Sequence, residues 1–253
     1  MRTWGIAVAA GILLAAGVAA AVFVFWPSDG DDRTRAADRD QEREGRDGGA
    51  GPRTGDVVLE DRAFRCRGEV DLDLVRVTMR TVLDDAIQLD ENCSGRIGRV
   101  EVETWTADGI SVQNHGKVAH DLVVESGYVK CHDVASGAHQ DGVQVMGGLR
   151  LTFRDLRVDC LGNANFFLAE GGAGASTPTD VVCVGCVLGP NSAQTLFFAD
   201  SIRSGARQTT ICTGRFEAVR VEAGAQAIVE DDNEVLARED PACADVTGKG
   251  EAR

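Results

Sequence analysis

The sequence holds a single tyrosine and three tryptophans among 253 residues, and its 26 basic residues are outnumbered by 40 acids. The formal net charge of -14 argues against a nucleic-acid surface, because phosphate binding needs clustered Lys and Arg. A second CxxC is also missing. The "CVGC" at 183–186 therefore lacks its partner for a zinc site, and nothing around it resembles a thioredoxin context. A thiol-redox role for Cys183 and Cys186 matches the surrounding pattern poorly.

What is present begins with an uncharged run from Trp4 to Trp26. It is long enough to span a hydrocarbon core of roughly 30 Å at about 1.5 Å per residue. Trp at both ends suits the interfacial belt. Arg2 precedes the run, and Asp29, Asp31 and Asp32 follow it, which places the N-terminus inside and the rest outside. Residues 1–27 are therefore expected to be a transmembrane signal anchor. The alternative is a signal peptide cut near the alanines at 19–21. Residues 28–55 mix dense charge with no apolar periodicity and read as a flexible tether. Residues 236–253 read as a tail that carries Cys243. On an exported chain, eight cysteines point to disulfides.

Between them, two kinds of short strand alternate. The first reads "DAIQL" from Asp85, "DGISV" from Asp108 and "DGVQV" from Asp141. It continues as "NFFLA" from Asn165, "TLFFA" from Thr195 and "QAIVE" from Gln226. The second reads "GRVEVET" from Gly98, "DLVVESGYVKC" from Asp121, "RLTFRDLRVDC" from Arg150, "DVVCVGCVLG" from Asp180 and "TTICTGRFEAV" from Thr209. The apolar positions alternate with period two, as in Ile87 and Leu89, Ile110 and Val112, Val143 and Val145. The period excludes helices. Near-identical strands at every other element predict a β-solenoid of about five to six rungs over residues 56–235, with a β-sandwich as runner-up.

This repeat, together with "HQDGVQV" from His139, resembles the right-handed parallel β-helix proteins of the pectate-lyase-like superfamily, many of them exported bacterial proteins. The resemblance covers roughly residues 57–235. It implies polyuronide lyases, glycan hydrolases or epimerases as candidate activities. It carries no catalytic residues over. A "WIDH"-type segment, paired Arg around a Pro, "NTD", "GHG" and "DPHD" are all absent. One fold hosts many activities, so the fold alone does not choose among them.

Parallel rungs stack at about 4.8 Å, so equivalent residues form ladders. Asp85, Asp108 and Asp141, with Asn165 next, form one such ladder. Two readings stand for it. Turn carboxylates and carboxamides accept backbone N–H groups; alternatively, Asp108 and Asp141 hold a cation such as Ca²⁺. In a catalytic reading, His139 is the base beside Asp141, since imidazole transfers protons near neutral pH. Gln144 and Asn165 would contact substrate. A second ladder of Glu170, Asp200 and Glu230, at steps of 30 residues, would line the same ligand or form a solvated acidic edge. Gln88, Ser111 and Gln144 are expected to face outward early in the coil. Leu168 and Phe198, with Phe166 and Leu196, are expected to do so later, under a covering loop.

The rung spacing also lies inside the Cα window for disulfides. It suggests Cys131 with Cys160 and Cys183 with Cys212, leaving Cys66 with Cys93 and Cys186 with Cys243. Connectivity stays open at this point. The ligand expected is a polysaccharide, with a non-catalytic module of the cell envelope as the alternative.

Overall fold

The computed structural model describes residues 52–113, 117–132, 140–171, 177–199, 203–222 and 225–244. The expected anchor at 4–26, the tether up to residue 51, His139 and Asp200 lie outside the described residues.

The described chain is a parallel β-solenoid of about six turns with almost no helix. It opens with β1 (Arg53–Glu60), β2 (Phe64–Cys66), β3 (Glu69–Met79), β4 (Ile87–Leu89), β5 (Ser94–Thr104) and β6 (Ile110–Val112). From there each long strand divides in two. The series runs β7 (His120–Val124), β8 (Gly127–Cys131), β9 (Asp141–Val145), β10 (Leu149–Arg154), β11 (Leu156–Cys160) and β12 (Ala164–Leu168). It continues through β13 (Thr179–Val184), β14 (Val187–Leu188), β15 (Gln194–Phe198), β16 (Arg203–Arg207), β17 (Thr210–Cys212), β18 (Glu217–Val221), β19 (Gln226–Val229) and β20 (Glu234–Leu236). One short helix, α1 (Pro241–Ala244), follows.

The strands of each turn fall into two sheets. β2, β4, β6, β9, β12, β15 and β18 stack as one seven-stranded sheet. The rest form a 13-stranded sheet bent along its length, so that each turn adds one run before the bend and one after it. The bend falls where the chain takes a left-handed backbone conformation, at Asp155 (φ 46°), Gly185 (φ 67°) and Gln208 (φ 48°) on successive turns. The N–H of Asp155 donates to Val184 O at 2.9 Å, and that of Gly185 to Arg207 O at 3.0 Å, so the corner is paired from turn to turn.

Period-two alternation fills the interior. Ile87, Ile110 and Val143 share one row, Val77, Val102 and Val129 share another on the opposite side, and all are buried. The later rungs differ from the expectation. Phe166 and Leu168 stack on Val143 and Val145, and Leu196 and Phe198 stack on them in turn, so all four face the core. Phe167 and Phe197 take the outward positions. The last turn also differs from the expectation. β18, "EAVRV", closes the seven-stranded sheet, while "QAIV" of β19 stacks on β16 in the other one.

All eight cysteines are oxidised. Cys66 joins Cys93, and Cys131 joins Cys160. The other two pairings read from spacing are corrected. Cys183 joins Cys186, and Cys212 joins Cys243. Cys131 and Cys160 are in register on β8 and β11. Cys183 lies on β13 before the bend, opposite Ala206, while Cys212 lies on β17 after it, opposite Leu236. A step of 29 residues therefore lands on two different sides of the coil.

Candidate functional site

Each carboxylate of the Asp ladder is occupied by backbone. The N–H of Asp108 donates to Asp85 Oδ1 at 3.3 Å, that of Asp141 to Asp108 Oδ1 at 2.7 Å, and that of Ala164 to Asp141 Oδ1 at 2.8 Å. Gln144 Nε2 and Asn163 Nδ2 also donate to Asp141, at 3.2 and 3.1 Å. The next residue on the ladder is Ala164, not Asn165. Asn165 is fully buried at the corner, where its Oδ1 accepts the Cys160 N–H at 2.8 Å and its Nδ2 donates to Gly189 O. Burial pushes Asp85 up to about 6, and Asp84 adds to the rise. Burial raises Asp108 well above the ordinary carboxylate range, helped by the charges of Asp85 and Asp141. Among the described residues no group of three His, Cys, Asp or Glu is placed to hold a metal ion. The ladder therefore does the work of turn chemistry, one carboxylate closing the next rung.

The second acidic ladder does not form as drawn. Glu170 accepts from Thr177 Oγ1 at 2.7 Å. Glu230 follows β19 in the other sheet, where it pairs with Arg207 at 2.9 Å. Gln144 does share an outward row with Gln88 and Ser111, and Phe167 and Phe197 continue it. The two rings lie 4.9 Å apart and both are buried. Arg220 stands 4.7 Å from the Phe197 ring, so this end of the row is already covered on that side.

The chemistry the expectations missed lies on the outer face after the bend. The parallel register brings together three rows there. Arg76, Glu101, Tyr128 and Arg157 form the first; Thr78, Glu103, Lys130 and Asp159 the second. Arg80, Trp105 and His132 follow one residue past the ends of β3, β5 and β8 and form the third. Along β8, Tyr128, Lys130 and His132 alternate outward on one strand, with Glu101, Glu103 and Trp105 on the rung beneath.

Each group is held. Arg76 Nε and Arg99 Nε pair with the two oxygens of Glu101, at 2.6 and 2.9 Å. The Trp105 and His132 rings are stacked with centroids 3.8 Å apart and planes 2° from parallel. The guanidinium of Arg80 lies 4.4 Å from the Trp105 ring. His132 Nε2 is 3.6 Å from Glu103 Oε2, beyond hydrogen-bond length, and is itself buried. Partial burial, then the charge of Lys130, push the His132 imidazole below its ordinary value. Burial, then Glu103 and Glu101, push the Tyr128 phenol above its own. At neutral pH the strand thus presents a protonated phenol and a neutral imidazole on either side of Lys130. The signal was in the sequence. In "VEVETW" and "YVKCH" the outward letters of the alternation are Glu101, Glu103, Trp105, Tyr128, Lys130 and His132.

These features define the class as a disulfide-stapled parallel β-solenoid with a polar, titratable strip along one outer face. No protein-family model, curated protein or solved structure matches the chain.

Proposed function

We propose that the chain is an extracytoplasmic solenoid that binds polysaccharide along the strip of Glu101, Glu103, Tyr128, Lys130 and His132. The observation that carries this reading is the placement of a phenol, an ammonium and an imidazole on one strand over a carboxylate rung. Donors and acceptors repeat there every 4.8 Å or so, matched to a ligand that is itself a repeat of hydroxyls. The neutral imidazole of His132 also supplies a candidate base for cleavage. Four disulfides support an oxidising compartment. With the apolar run at 4–26, they support a membrane-tethered domain outside the cytoplasm. Kinship to the right-handed, pectate-lyase-like β-helices fits the same reading.

A second reading, a non-catalytic module of the envelope, is favoured by the stack of Arg80, Trp105 and His132. Both faces of the indole are taken, and the imidazole is packed against it. One experiment separates the two. Residues 28–253, made with their disulfides, are incubated with a panel of polyuronides and neutral cell-wall glycans, and fragments are sought by mass spectrometry. New fragments that disappear in His132→Gln and Tyr128→Phe establish cleavage on this strip. Retention on a glycan column without fragments establishes the binding module. Neither binding nor fragments across the panel removes the carbohydrate reading.

A further inference from the structure

The two ends of the solenoid are unlike. At the first turn the core is closed: Phe64 and Cys66 are buried, Val57 is buried, and Arg53 lies 5.5 Å from the Phe64 ring. At the last turn it is open. Val221 stacks on Phe198, Val229 on Ala206 and Val235 on Ile211, three inward positions whose lower partners are fully buried. Yet Val221 is 48 %, Val229 39 % and Val235 55 % exposed. The strands that carry them, β18, β19 and β20, end the two sheets on this side, each with one neighbour among the described residues. The mouth of the core thus combines exposed valines with three strand edges that have backbone groups left to pair.

Charge narrows what fits. Residues 217–244 carry eight carboxylates against two arginines, Arg220 and Arg238. Asp231 and Glu234 are exposed and Glu222 half-buried next to the valines in sequence, and Arg220 is spent on Glu222 at 3.2 Å. A second copy placed mouth to mouth would set two acidic rims against each other. A second copy placed head to tail would meet a first turn whose core positions are already buried.

We infer that the last turn is a docking edge for a partner protein, which adds an extended segment of alternating aliphatic and basic residues to β18, β19 or β20. The aliphatic residues would cover Val221, Val229 and Val235, and the Lys or Arg residues would face the acidic rim. The same rim deters other acidic edges, which gives the edge a preference as well as an attraction.

The test uses the chain with its disulfides formed and two synthetic peptides, one alternating Val with Lys and one alternating Val with Glu. The Lys peptide is expected to bind saturably and to slow amide exchange in β18–β20. Its affinity is expected to fall at least tenfold between 50 and 500 mM salt, as screening of several charge pairs requires. It is also expected to fall about tenfold in Val229→Thr, whose fold is checked by thermal melting. Equal binding of the two peptides, or protection elsewhere on the chain, overturns the inference. Concentration-dependent dimerisation that buries the same amides overturns it in favour of a second copy. No binding of either peptide, with the chain monomeric, overturns it as well.

Discussion

Asp108 and Asp141 lie one above the other, and the carboxylate of the lower residue accepts the backbone N–H of the upper at 2.7 Å. Both are buried, and the half-buried Asp85 lies below them. Like charges stacked in low dielectric do not all ionise.

Stability should therefore decline with rising pH in one window. Asp85 is raised from 3.8 to about 6, chiefly by burial. A raised carboxyl keeps its proton in the folded chain where the unfolded chain has lost it. Its contribution is complete below about 4 and is lost as pH rises through about 6. The linkage for a shift of this size is on the order of 2–3 kcal/mol. Urea midpoints at pH 4.5 and pH 8 should show the decline in the native chain. Asp85→Asn, neutral at both values, should reduce it, leaving the part that Asp108 contributes. An unchanged slope in the variant would remove Asp85 as the source.

Asp108 separates charge from hydrogen bonding. Asp108→Asn keeps an acceptor for the Asp141 N–H and removes a charge, so it should be neutral or stabilising at pH 7. Asp108→Ala leaves that buried N–H without its acceptor and should cost about 1–3 kcal/mol. Equal melting temperatures for the two variants would contradict the ladder's role.

The first half of the coil was legible because its strands are simple. Ile87 and Leu89, Ile110 and Val112, Val143 and Val145 alternate with polar or small residues, so the face of each follows from period two. The parity of the later strands was not legible. In "NFFLA" and "TLFFA" both faces are apolar, so Phe166 and Phe167 look alike to an alternation rule. The choice is made by register against Val143 and Gln144. Cysteine spacing failed for a related reason. It counts residues per turn but does not see on which side of the bend Cys183 and Cys212 fall. The strip at Tyr128 was readable in the outward letters, but which strands stack beside it depends on the long-range register of β5, β8 and β11.

The disulfides should contribute unequally. Cys131 and Cys160 close a loop of 29 residues and Cys183 and Cys186 one of 3. Chain-entropy reasoning gives about 3–4 kcal/mol for the longer link and about 2 for the shorter. Replacing Cys131 and Cys160 together by Ala should lower the melting temperature more than replacing Cys183 and Cys186. Peptide mapping without reduction should recover Cys183 and Cys186 within one peptide. A Cys183–Cys212 cross-link in that map would overturn the pairing.

Trp105 should govern the proton of His132. The indole covers one face of the imidazole at 3.8 Å, and burial is the leading cause of its lowered value. Trp105→Ala exposes that face and also frees Arg80 from its ring contact. The burial effect shrinks, while Glu103, 3.6 Å from Nε2, continues to favour the charged form. The titration of His132, followed by NMR on its ring protons, should therefore move to higher pH in Trp105→Ala. Glu103→Gln removes the opposing carboxylate and should move it to lower pH. If the strip cleaves polysaccharide with His132 as base, the acidic limb of the pH–rate profile should shift in the same two directions. If it only binds, the titrations should shift while binding of a neutral glycan stays flat across that range. A His132 titration that ignores both substitutions would mean that neither the stack nor Glu103 sets its protonation.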